Sequence, residues 1–402
     1  MRKRGVLVGG GLFVLVALGF AWLAAPAFLD GRWNRVHAPP PYEASAEAHE
    51  LHSRLLVADL HADTLLWNRN ILTRSRRGHV DLPRLQEGNV AVQVFSAVTH
   101  APFGVTDAGA PASRSLPEGV ERDATDAVGA LAIAQRWPPR TWRSPLERAL
   151  YQAERLHAAA ARSEGVLRVI TTEDELNAFL QDRADDSTLV GAILSIEGAQ
   201  TLEGELANVD RLYEAGYRLI GLSHFVDTEV GGSVHGAEGG GLTEFGRQVI
   251  ERMESLGMGV DLAHASPALV EDVLASVTQP VAVSHTGVQA VCPGPRNLSD
   301  DQLQNIAEAG GVIGIGFWRV AVCGDDTAAI VRSIEHAVDM AGVEHVALGS
   351  DFDGVTATPF DVTGLPQITE GLLDAGFSED DIARIMGENT IEYFRRVLPK
   401  VS

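Results

Sequence analysis

The 402-residue chain is expected to be an α/β protein, a (β/α)8 TIM-like barrel with an insertion between strands 2 and 3, preceded by an N-terminal transmembrane helix. Three observations predict the barrel. Short apolar runs alternate with helical patterns, as in repeated βα units around a parallel sheet. These runs are continuously apolar rather than alternating, which suits strands buried on both faces. Six of the eight runs also end in a titratable side chain, as expected where strand C-termini converge on one mouth. A doubly wound open sheet is the competing architecture.

Composition sets the outer bounds. With 45% hydrophobic and 21% charged residues, the chain can bury one large core or two of average size. A formal charge of −22 argues against nucleic acid or an anionic membrane surface as a partner, with plain solubility as its ordinary explanation.

Residues 5–29 carry no charge and follow Arg2, Lys3 and Arg4. About 20 apolar residues span a bilayer, and the basic flank would hold the N-terminus in the cytoplasm. Ala25-Pro26-Ala27 offers a signal-peptidase site, but the run exceeds a usual signal core of about 7–15 residues, which favours an anchor. Both readings make the body membrane-anchored or secreted and extracytoplasmic, periplasmic in a Gram-negative cell. The expected division is therefore 1–30 anchor or signal, 31–45 a linker stiffened by Pro39-Pro40-Pro41, and 46–402 the barrel.

The eight expected strands are Val57–Asp63, Val90–Ser96, Ala192–Gly198, Arg218–His224, Gly259–His264, Val281–His285, Val312–Phe317 and His345–Phe352. Helix starts are legible between them. Ser144-Pro145-Leu146-Glu147 combines a cap, a proline in the first turn and a Glu three residues on. Thr172-Glu173-Asp174-Glu175 repeats the capping-box logic, and Ser299-Asp300-Asp301 opens another helix. The insertion runs from about Thr99 to Arg168 and contains a helix over Leu146–Arg162. Its length suits loop structure around a substrate site, or equally a surface decoration or oligomer contact.

The chemistry collects at the strand ends. His61 and Asp63 end strand 1, Glu197 strand 3, His224 strand 4, His264 strand 5, His285 strand 6 and Asp351 strand 8. Backbone-satisfied core histidines account for one or two such residues, not for the set. Nitrogen and oxygen donors without cysteine suit catalytic zinc. Five ligands suit two Zn2+ ions, one held by His61 and Asp63, the other by His264 and His285, with Glu197 bridging. Such a pair lowers the pKa of a shared water and makes a bridging hydroxide available for amide hydrolysis. Asp351 would orient that water, take its proton and pass it to the leaving amine. Asp353 reads as a turn residue before Gly354 rather than a second base, and His235 as solvent-facing rather than a substrate contact.

The motifs Asp59-Leu60-His61-Ala62-Asp63, Ser195-Ile196-Glu197-Gly198, Leu222-Ser223-His224, Asp261-Leu262-Ala263-His264-Ala265-Ser266, Val283-Ser284-His285, Pro295-Arg296-Asn297-Leu298 and Gly349-Ser350-Asp351-Phe352-Asp353-Gly354 occur in this order. Together they resemble the membrane (renal) dipeptidase family of zinc metallopeptidases. The resemblance covers residues 50–395 and implies the same five ligands. It also implies that His224 binds the substrate's carbonyl side and stabilises the tetrahedral intermediate, that Arg296 binds the substrate carboxylate, and that Asp351 serves the nucleophilic water. An arginine fork suits a carboxylate; the bland alternative pairs Arg296 with Asp300 or Asp301. Cys292 and Cys323 read alone either as a disulfide or as two separate thiols, and the family's animal members imply the disulfide. A homodimer would be usual for the family.

The segment 225–235 departs from the animal enzymes, and any anchor here is N-terminal rather than a C-terminal lipid. The expected function is zinc-dependent dipeptide hydrolysis by a metal-bridging hydroxide, with the substrate carboxylate on Arg296. The alternatives are another metal-dependent amidohydrolase or lactonase on the same barrel, and a catalytically inactive surface binding protein.

Overall fold

The structure is a computed structural model and describes residues 24–103, 119–121 and 125–400. Eight parallel strands close into a barrel: β1 (Val57–Ala62), β2 (Val90–Val98), β3 (Val190–Glu197), β4 (Tyr217–Gly221), β5 (Gly259–Asp261), β6 (Ala282–Thr286), β7 (Val312–Ile315) and β8 (Val346–Leu348). Neighbours pair in sequence order, and β8 returns to β1 through Leu348 and Asp59. Every residue of these strands is buried, which explains why they read as unbroken apolar runs.

Strands β4, β5 and β8 stop three residues before His224, His264 and Asp351, so these side chains lie on the loops that follow rather than on the strands. The cause is visible in the backbone for two of them. His264 and Asp351 take φ of 62° and 58°, a left-handed conformation that no strand continues. Val355 at φ 62° is a β-branched residue in the same region, so the β8 loop is strained over several positions. Gly198, at φ 94°, turns the chain directly after Glu197.

Caps behave as the sequence implies. Ser144 and Thr172 accept from the backbone N–H three residues on and start helices Pro145–Arg162 and Glu173–Asp185. Ser299 forms a reciprocal capping box with Gln302. In the insertion, helix Ala127–Ala134 packs beside the mouth and supplies Val128 and Leu131 to its wall.

Most of the expected membrane span, residues 5–23, lies outside the described residues. Among the described residues no helix is long and apolar enough to cross a membrane. Residues 24–33 form a helix that lies against the barrel instead of ending in a free spacer. Asp30 is buried and bonds Asn34 Nδ2 at 3.0 Å and Arg69 Nε at 3.3 Å. Beyond it, Arg35–Val36 pairs with Ala357–Thr358, so the stretch expected as a linker contributes a strand to the rim. Cys292 and Cys323 are joined by a disulfide.

Candidate metal centre and substrate pocket

All eight side chains singled out in the sequence reach one buried cluster, none more than 8% exposed. Glu197 lies at its centre. Its Oε1 is 3.0 Å from His264 Nε2, 3.3 Å from His285 Nε2 and 3.8 Å from His61 Nε2, while its Oε2 is 3.3 Å from His224 Nε2. His61 Nε2 lies 3.4 Å from Asp63 Oδ1 and 4.0 Å from Asp351 Oδ1. Three overlapping triads have donor atoms within 4.8 Å of one another: His61–Asp63–Glu197, Glu197–His224–His264 and His61–His285–Asp351.

The donor set fits divalent cations. His61 Nε2 and Asp63 Oδ1 are buried and make no hydrogen bond, an arrangement costly for polar atoms unless something else meets them. Three buried carboxylates also face one another. Burial, then repulsion from Asp63, pushes Glu197 up to about 8, and the same two causes hold Asp351 well above the usual carboxylate range. Burial raises Asp63 as well. Burial alone would lower His61, but Asp63, Glu197 and Asp351 outweigh it and raise that ring to about 10. Positive charge among these groups relieves the conflict.

Partners behind the cluster aim the rings. Ser284 Oγ lies 2.9 Å from His285 Nδ1 and 3.3 Å from His61 Nδ1, so one hydroxyl oxygen can accept from both and leave each Nε2 lone pair facing the centre. Asp261 accepts from the N–H groups of Ala263 and Ser284 at 3.0 and 2.8 Å, tying the β5 loop to β6. Asp59 accepts from Ser350 Oγ and Gln93 Nε2, both at 2.7 Å, and anchors the β8 loop. Asp353 is a strut rather than a plain turn residue. Fully buried, it accepts from Thr64 Oγ1 at 2.7 Å, His79 N at 2.7 Å and Arg69 Nη2 at 2.6 Å.

His224 Nδ1 donates to the His100 carbonyl at 3.2 Å, which leaves Nε2 with a lone pair while the ring is neutral. Burial holds the ring well below its ordinary pKa. That arrangement suits a ligand or acceptor; donation from Nε2 toward an oxyanion requires a second proton or release of His100.

Arg296 is buried, donates from Nη2 to the His285 carbonyl at 2.8 Å, and stands 5.7 Å from the Trp318 ring centroid. Its Nε makes no hydrogen bond. Burial lowers its pKa to about 10, with Asp351 and Glu197 opposing, so it stays charged at neutral pH. The alternative pairing with Asp300 is not seen: Asp300 takes His336 Nε2 at 2.7 Å.

Sequence reasoning missed His235. Expected to face solvent, it is 1% exposed, with Nε2 3.1 Å from His264 Nδ1. A histidine one loop ahead of a candidate ligand carried no periodic signal.

These groups open into a cavity of about 410 Å³. Its floor is the polar cluster, and its outer wall is apolar, from Leu29, Trp33, Leu66, Val98, Val128 and Leu131.

Comparison with known proteins finds a matching family and several relatives. Residues 45–401 match the family model described as membrane dipeptidase, peptidase family M19. The chain is 31% identical over 268 residues to an uncharacterized Klebsiella pneumoniae protein encoded in the pqqA 5′ region, covering 63% of this chain and 97% of that one. Among solved structures it resembles dipeptidase AC, a metallopeptidase of family M19, with TM-score 0.72 and 27% identity over 86% of this chain and 99% of that chain. It also resembles a Rhodobacter sphaeroides metallopeptidase liganded with a phosphinate mimic of the dipeptide L-Ala-D-Ala, with TM-score 0.66 and 26% identity over 85% of this chain and 99% of that one.

Proposed function

From the premise that the chain belongs to the membrane dipeptidase family, peptidase family M19, and is a dipeptidase-type metallopeptidase, we propose that it hydrolyses free dipeptides with two zinc ions bridged by Glu197. His61 and Asp63 would complete one site, His264 and His285 the other. The observation that carries this reading is the pair of buried atoms His61 Nε2 and Asp63 Oδ1, 3.4 Å apart without a hydrogen bond, beside Glu197 in a cluster of three carboxylates. Bound there, such ions would supply Lewis-acid polarisation of the scissile carbonyl and a water of lowered pKa.

The protein's own groups do the rest. Arg296 accepts the terminal carboxylate of the substrate on its guanidinium, where Nε has no other hydrogen-bond partner. The clamp limits the enzyme to a peptide bond one residue from that carboxylate. Asp351, 4.0 Å from His61 Nε2, takes the proton of the attacking water and delivers it to the departing amine. His224 stands beside Glu197 and contacts the carbonyl side of the substrate. The relative that binds a phosphinate mimic of L-Ala-D-Ala supports a dipeptide-sized substrate, including forms with a D-residue at the C-terminal side.

We place the barrel outside the cytoplasm, tethered by the uncharged run that precedes the docked helix of residues 24–33. The uncharged run and the Cys292–Cys323 disulfide, a bond of oxidising compartments, support this. Incubating the metal-replete protein with dipeptides, lactones and cyclic amides tests the reaction. Dipeptide hydrolysis alone is expected; turnover of lactones in preference would replace the reading.

A further inference from the structure

The helix of residues 24–33, continuous in sequence with the uncharged N-terminal run, is built into the wall of the substrate pocket. Leu29 and Trp33 line the cavity, joined by Leu66 and Val98 from the β1 and β2 ends and by Val128 and Leu131 from the insertion. These residues belong to one apolar cluster around Trp67 and Trp137. The helix is fixed rather than loosely apposed. Asp30 bonds Arg69, which also holds Asp353; Asn34 Oδ1 accepts from Val355 N at 3.0 Å; Trp33 meets Trp67 with ring centroids 6.2 Å apart.

Topology says which part of a substrate meets this wall. In the closed barrel the ends of β1 and β2 lie across the mouth from those of β5 and β6, and Arg296 follows β6. The carboxylate therefore sits on one side, the cluster of Glu197 and the histidines in the middle, and the apolar wall on the far side. A dipeptide held by Arg296 with its peptide bond over Glu197 extends its amino-side residue to Leu29, Trp33 and Leu131. The residues named for that wall, Leu29, Trp33, Leu66, Val98, Val128 and Leu131, are all apolar.

We infer that the enzyme selects dipeptides with a large apolar residue on the amino side, and that the membrane-proximal helix supplies part of that specificity through Leu29 and Trp33. This rests on the dipeptidase reading above. The burial of an apolar side chain against such a wall raises kcat/KM with its area, and apolar pockets discriminate by about 10–200-fold per small group.

The test compares Phe-Ala, Ala-Ala and Ala-Phe, with their D-alanine or D-phenylalanine counterparts at the C-terminal side, on the full-length metal-loaded protein. Phe-Ala should exceed Ala-Ala in kcat/KM by about 10-fold or more. Leu29→Ala, a change at a half-buried side chain, should cut that ratio by about 3-fold or more while leaving the Ala-Phe to Ala-Ala ratio unmoved. Leu131→Ala, on a different segment, should do the same, so a misfolded N-terminal helix cannot account for both. Equal turnover of Phe-Ala and Ala-Ala, or variants that shift Ala-Phe as much as Phe-Ala, would overturn the inference while leaving the dipeptidase reading standing. Hydrolysis of none of the dipeptides would remove both.

Discussion

His235 Nε2 lies 3.1 Å from His264 Nδ1, with both rings buried. The contact places a hydrogen-bond acceptor behind a ring whose other nitrogen faces Glu197 at 3.0 Å. A partner at Nδ1 fixes the tautomer and orientation of a ligating imidazole, and losing one typically costs about 10–100-fold in metal affinity. His235→Ala should therefore weaken zinc retention by about that factor in chelator competition, with a smaller loss for His235→Gln. Unchanged retention in the alanine variant would show that the contact is only packing.

The clamp role proposed for Arg296 has a specific kinetic signature. Arg296→Met should raise KM for dipeptides by about 30-fold, the worth of about 2 kcal/mol for hydrogen bonds to a charged group. Dipeptide amides, which lack the carboxylate, should be affected far less. Steady-state kinetics on both substrate forms checks this, and equal losses would remove the clamp.

Asp351 is assigned the proton transfer. Asp351→Asn keeps the size and the left-handed backbone position, which Asn tolerates. Its kcat should fall by about 100–10,000-fold with metal content retained. Loss of metal in step with activity would make Asp351 a ligand instead.

His52 offers a pH test remote from the site. Its Nε2 donates to the Gly88 carbonyl at 3.0 Å and its Nδ1 lies 2.8 Å from Thr369 Oγ1, so the neutral ring ties helix Ala46–Arg54 to two other elements. Burial lowers its pKa to about 4. The unfolded chain, near 6.5, then binds more protons than the folded one between these values. Stability from this residue is complete above about 6.5 and is lost as pH falls toward 4, by a few kcal/mol at most. Urea unfolding at pH 7.5 and pH 5 should show a larger drop for the native protein than for His52→Gln; identical drops would contradict it.

Much of the fold was legible because burial on both faces leaves a plain mark: all eight barrel strands appear as apolar runs. The cluster was legible for a related reason, since His61, Asp63, Glu197 and His285 stand at or beside strand ends. The loops were harder. A left-handed turn at His264 or Asp351 has no periodicity, so both read as strand residues. Asp59, Asp261 and Asp353 are buried acceptors whose partners come from distant segments, and pairing of that kind is set by tertiary contact. The docking of residues 24–36 was hidden because an apolar run continuous with a span reads as membrane, and nothing in its sequence names Trp67 or Arg69 as its neighbours.

The central claim is that Glu197 bridges two ions, and elemental analysis of the purified, zinc-equilibrated protein beside Glu197→Gln tests it most directly. The account predicts two zinc ions per chain in the native protein and loss of at least one, with hydrolysis abolished, in the variant. One ion or none in the native protein, or two retained without Glu197, would contradict it.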